Sequence, residues 1–362
     1  MMVFTEILWE VKTCKPFISM THGKLFQEEN NFILTGAEDG VVRVYEVPGR
    51  KTSMITSVRS LETKCGPVFH LQLHDIIRLV SQDLIAADSR GSVTLFCNGQ
   101  IFMRTMPDKA AGITALQIHE TMLGHLFIIT GNEDGVVNCF NAFDNLWRIR
   151  LHDIMSMKIE RLQSTRSVTC ILATAISSSS CPAMDYIVVA DSDKNLHFIQ
   201  DGKVVISTSA PSVVKVMVAG YFLHFDEVGN PDEKLTQLAL GCEDGTVWIC
   251  VDFEVQTATQ YANVGHTITH LHRLPPIQNS YSSTNGNKND QHSDSVSEKL
   301  DLLLCCGQFP ALLVLREGKV STKHKLPDWT ISICNFHQSD HDDANTVLIG
   351  CQDSTIQAIK VS

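Results

Sequence analysis

Nowhere in the 362 residues is there an uninterrupted apolar run of ~18 or more, so no membrane-spanning helix is expected. The opening "MMVFTEILWEVKTCKPF" has neither a basic start nor an unbroken apolar stretch, because Glu6 and Glu10 interrupt it, and no signal peptide is expected. None of the 12 cysteines forms a C-x-x-C pair. Most lie in apolar runs, as Cys139, Cys242, Cys250 and Cys351 do. They read as small buried thiols in a reducing compartment rather than a disulfide frame or a zinc site. Blocks of Lys and Arg are missing, and 29 bases against 40 acids leave a net charge of −11. A nucleic-acid binder would show a basic stripe. G-x-S-x-G, H-E-x-x-H and the phosphate loop G-x-x-x-x-G-K-[ST] are all absent. These absences lead to the expectation of a cytoplasmic, non-enzymatic protein, with the nucleus left open. No cofactor, nucleic acid, membrane insertion or small-molecule substrate is expected.

What the sequence does have is a repeat. "FILTGAEDGVVRVYEV" from Phe32, "FIITGNEDGVVNCF" from Phe127 and "LALGCEDGTVWIC" from Leu238 share one plan: apolar run, small residue, acidic turn, apolar run. Looser copies start at Leu84, Tyr186, Leu302 and Val347. The small residues are Gly36, Ala87, Gly131, Ala190, Gly241, Gly307 and Gly350, between 43 and 66 residues apart. A phosphate loop occurs once and precedes a helix. Here the turn recurs and β-branched or aromatic residues follow it, as in Val42, Val44, Tyr45 and Val47. Asp-Gly supplies the positive φ of a hairpin turn. Asp39 and Gly40, Asp134 and Gly135, and Asp244 and Gly245 are therefore assigned to structural turns.

Each hairpin has an apolar run on both sides. "PFISMTHGKLF", "GITALQIH", "SVVKVMVAGYF" and "TISICNFH" precede hairpins, while "IFMRTM", "LWRIRLH" (Leu146–His152), "KVVISTS" and "KVSTKHK" follow them. Four strands per unit, repeated radially, make propeller blades. The last unit ends one strand short, and the N-terminal run Val3–Thr13 can supply it, closing the ring and covering two sheet edges. The expected fold is all-β: a single seven-bladed β-propeller of four-stranded blades over residues 1–362, closed by the N-terminal strand pairing with the C-terminal blade. The two longest spacings, 59 and 66 residues, leave open eight blades or two stacked β domains. A Ser/Asn-rich stretch, 275–299, accounts for the longer one as a disordered loop inserted in blade six. A smaller insertion, Asp226–Leu235, is expected in blade five.

Few residues suggest chemistry. His270 and His272 alternate on an expected inner strand, where a metal pair competes with a surface or channel-lining role. "HQSDHDDAN" brings His337, Asp340, His341, Asp342 and Asp343 to one loop, a weak metal candidate against a plain solvated connection. The loop has the position of the calcium loops of integrin-type propellers, but its acids are out of register. His270, His272, His337 and Asp340 are also the residues that a ligand or enzyme site in the central channel would use. No Gly-His pair is read as opening a blade and no Trp-Asp pair as closing one, the two marks of WD40 repeats; Tyr45-Glu46 and Phe140-Asn141 stand where Trp-Asp would. The pattern is that of a divergent WD40-like ring.

The C-terminal half resembles the kaptin family of divergent propellers. The likeness rests on "YIVVADSDKNLHFIQDGKV", "LALGCEDGTVWICVD", "FPALLVL" and the acidic loop before "TVLIGCQDSTIQAIKV". It implies a subunit of KICSTOR, the complex that holds the amino-acid-sensing GATOR machinery at lysosomes and restrains mTORC1, together with an association with actin filaments. It implies no catalytic residues. The expectation is a protein-interaction scaffold in a multisubunit complex, recruited to the lysosome surface if the resemblance carries that far. Other assemblies remain open: ciliary trafficking, ubiquitin ligase adaptors, chromatin or the nuclear pore.

Overall fold

The computed structural model describes residues 3–49, 52–79, 81–106, 109–155, 166–179, 182–224, 235–276, 300–336 and 345–362. Seven sheets, antiparallel except for one added two-residue strand, form a ring. Their innermost strands are Ser19–Lys24, Val68–His74, Ile113–Glu120, Val168–Ile176, Val214–Gly220, Ile268–Leu274 and Thr330–Asn335, here blades 1 to 7. Each innermost strand contacts the next, and that of blade 7 returns to blade 1. The expected seven-bladed propeller is the observed fold. Eight blades and stacked domains are not.

The burial pattern explains why these sequences became strands in this order. The second strands Gln237–Cys242, Leu302–Gly307 and Thr346–Cys351 are buried at every position, because a blade packs against each of their faces. The outermost strand Lys203–Ser209 alternates exposed and half-buried residues, having water on one side. The small residue of the repeat has a packing reason. A Cβ at Gly36 would lie 2.7 Å from Val68 Cγ1, and one at Gly131 would lie 2.4 Å from Val168 Cγ1. A Cβ at Gly241 would lie 2.7 Å from Ile268 Cγ2. The apolar residue that opens one blade's innermost strand seats on the small residue of the blade before it.

Ring closure follows the expected route. Thr5–Thr13 pairs antiparallel with Thr355–Val361, from Thr5 opposite Val361 to Lys12 opposite Thr355. A two-residue strand, Met54–Ile55, adds to its other side in parallel, which the sequence reading did not anticipate. Two further details differ. The expected outer strand Leu146–His152 ends at Arg150, where Leu151–Met155 turns into a short helix. This turn of helix lets Leu151 bury fully against the blade 3–4 core. Blade 5 has a split outer strand, Glu254–Val255 and Ala262–Asn263, both pairing with Thr246–Val251. Of the 275–299 insertion, Pro275 and Pro276 are described; 277–299 lies outside the described residues, as does 226–234 of the smaller insertion.

Candidate functional site

The assigned turn residues sit between the second and third strands of their blades. Gly40, Gly135 and Gly245 have φ of 74°, 69° and 85°, a region unfavourable for side chains. At Gly135 a Cβ would also lie 2.1 Å from the Arg166 carbonyl oxygen of the next blade. The acids organise the turns. Asp39 pairs with Arg43 and accepts from the Val41 N–H at 3.1 Å. Asp244 accepts from the Thr246 hydroxyl at 2.6 Å, and that hydroxyl accepts from Trp248 Nε1–H at 2.8 Å. In blades 2, 3 and 4 the turn is held by the residue that ends the second strand, two places before the position of Asp134 in the Asp-Gly turn. There Asp88, Asn132 and Asp191 accept backbone N–H groups across the turn.

Asp191 also belongs to a deeply buried polar group. Both it and His197 are fully buried; His197 Nε2 lies 3.1 Å from Asp191 Oδ2, and Nδ1 lies 2.9 Å from Ser207 Oγ. Burial would raise the Asp191 carboxyl, but bonds from His197 and Asn195 hold it below the usual carboxylate range.

Around the axis, polar side chains of the innermost strands bond to the backbone of the following blade. Ser19 Oγ donates to the Val68 carbonyl at 2.7 Å, Thr169 Oγ1 to Val214 at 2.6 Å and Ser332 Oγ to Met20 at 2.9 Å. His70 Nε2 lies 3.2 Å from the Ile113 carbonyl. His270 occupies the same station and bonds to the Ile331 backbone, while His272 Nε2 meets Asn335 Oδ1 at 2.9 Å. The two histidines of the "HLH" motif thus join blade 6 to blade 7. Among the described residues, no group of three or more His, Cys, Asp or Glu is placed to hold a metal. His337, Asp340, His341, Asp342 and Asp343 lie outside the described residues.

Burial drives the pKa of both His70 and His270 down to about 4 from an ordinary 6.5. Their folded pKa is depressed, so the unfolded chain takes up these protons first as the medium acidifies. Stability is therefore expected to be level above pH ~6.5 and to fall between ~6.5 and ~4, by at most roughly 3 kcal/mol per histidine. Melting temperatures at pH 7.5, 5.5 and 4.5 check this. His70→Gln with His270→Gln should flatten the profile.

Burial also raises the thiols: Cys139, Cys170, Cys242, Cys250, Cys306 and Cys351 are pushed up to about 12. They are protonated packing groups at neutral pH.

A groove of about 780 Å³ lies at the rim between blades 2 and 3. Its walls are the outermost strand of blade 2 (Gln100–Thr105) and the blade 3 face carrying Thr130, Asn138 and Arg148, which stand opposite one another across three strands. At its mouth Phe143 is 73 % exposed and sits edge-on to Phe102, ring centres 6.3 Å apart. Sequence reasoning assigned this strand but missed the groove, which depends on how two blades meet.

The fold is that of a WD40-like propeller. Two crystal structures of BBS1N in complex with ARL6DN, one soaked with mercury and one with lead, superpose with TM-scores of 0.65. Each covers 99% of this chain, and 95% and 96% of theirs, at 12% and 11% identity. The WD40 β-propeller domain of Doa1 gives 0.62 at 12% identity, covering 99% of this chain and 97% of that one. No family model matches the sequence, and no curated protein matches it. One WD40 mark was overlooked in the sequence: Gly265-His266 directly precedes the innermost strand of blade 6, and the His266 ring lies 5.9 Å from that of Phe309. Among the described residues, no helix is long and apolar enough to cross a membrane.

Proposed function

We propose that this protein is a non-enzymatic interaction scaffold, a propeller subunit of a multiprotein complex. The observation that carries this reading is how the chain uses its polar groups. His70, His270, His272 and the Asp191–His197 pair bind blades and turns together, while the rim carries open sheet edges and a solvent-facing groove. A rigid disc whose chemistry is spent on its own architecture offers surfaces rather than a reaction centre. The similar propeller BBS1N, held with ARL6DN, supports a protein partner.

The sequence resemblance to the kaptin family gives the reading its finer form: a KICSTOR-type subunit acting in lysosomal amino-acid signalling to mTORC1. Affinity purification of the endogenously tagged protein with quantitative mass spectrometry tests both levels. Large partners in near-equal amounts support the scaffold, and KICSTOR or GATOR components among them support the finer form. Partners without these components remove the finer form alone. Recovery of the protein by itself contradicts both.

A further inference from the structure

We propose that the groove between blades 2 and 3 docks an extended acidic segment of a partner protein, added as a strand to the free edge of Asn145–Arg150. This rests on the scaffold reading and specifies the partner's chemistry. Asn145–Arg150 pairs with Val136–Phe140 on one side and, among the described residues, with no strand on the other. An unpaired edge offers alternate N–H and C=O groups to an incoming chain.

The side chains along that edge form a code. Trp147 and Ile149 turn inward and pack with the core shared with blade 4. Leu146, Arg148 and Arg150 line the groove, exposed, at a two-residue period. One face therefore reads apolar, basic, basic.

The charge of the groove sets the sign of its occupant. Lys109, Arg148 and Arg150 line it against two acids, Asp134 and Asp144, in a chain of net charge −11. Elsewhere Arg43, Arg59, Arg78, Arg166 and Arg273 each hold a carboxylate. Among the described residues none of these three groove cations does. Arg104, also on the wall, turns its guanidinium away and donates from Nη2 to the Thr63 carbonyl of blade 1. The complementary strand presents one apolar residue and two carboxylates at alternate positions, in either direction. Phe143 and Met106 give its apolar side chain a wall to rest on.

The probe is a fluorescein-labelled peptide centred on Leu-Thr-Glu-Thr-Glu, with its reversed sequence and a Leu-Thr-Gln-Thr-Gln version, read by fluorescence anisotropy against the whole protein. One acidic peptide should bind, the amide version at least tenfold more weakly, and affinity should fall with added salt. Arg148→Glu with Arg150→Glu should cost at least tenfold with an unchanged melting temperature, while Lys319→Glu on blade 6 should change nothing. The amide comparison uses the unaltered protein, so it holds even if the double variant folds poorly. No binding, equal binding of the amide peptide, or displacement by a single-stranded oligonucleotide at equal affinity overturns the proposal. A protein that captures partners in cells yet ignores these peptides keeps the scaffold reading and loses the groove.

Discussion

Deleting residues 3–13 is expected to abolish the folded ring rather than shorten it. Thr5–Thr13 is the outermost full-length strand of blade 7, and its removal leaves the edge of Thr355–Val361 open. It also takes away three buried apolar side chains, Val3, Trp9 and Val11. Trp9 meets Phe336 edge-on at 5.6 Å, and with Val11 belongs to the cluster that joins blade 7 to blade 1. At about 1.5–3 kcal/mol for each buried side chain, the loss is comparable with the ~5–15 kcal/mol that holds a typical domain folded. The open edge adds a route to aggregation. Far-UV circular dichroism and size-exclusion chromatography should show loss of native sheet or aggregated material. A monomer melting within a few degrees of the parent would contradict the role given to this strand.

Asp191→Ala is expected to destabilise the protein by about 1–3 kcal/mol for each buried donor it leaves without an acceptor. It removes the acceptor of fully buried His197 and of the turn N–H groups of Asp193 and Asn195. Ser207→Ala removes only the hydrogen bond to Nδ1 and should cost about 1 kcal/mol. Asp191→Asn should fall between the two, since its amide oxygen still accepts from the turn. Chemical denaturation of the three variants gives this order. Equal effects from Ser207→Ala and Asp191→Ala would show that the pair is not what anchors the blade 4 hairpin.

Much of the architecture is legible in the sequence because it is local. Gly40, Gly135 and Gly245 announce hairpins through backbone preference, and Gly36, Gly131 and Gly241 announce close blade packing through size. The closure could be inferred by counting strands. The split outer strand of blade 5 escaped because two-residue strands have no period. The helix at Leu151 escaped because the alternation of Leu146–His152 continues past the point where the backbone turns. His270 and His272 had the spacing of a metal pair, and only the position of blade 7 shows what they bond to. The groove escaped for the same reason: Arg148 and Arg150 read as the wet face of an edge strand until Gln100–Thr105 of blade 2 is placed opposite.

The most direct measurement is the native mass of the endogenously tagged protein in a gentle cell extract. The chain itself is 40.2 kDa. As a scaffold subunit it should migrate almost entirely within a much larger assembly and shift toward its own mass only when that assembly is dissociated. A protein that runs wholly at the mass of a single chain, at its natural abundance, would contradict the account and turn attention to a ligand in the central channel.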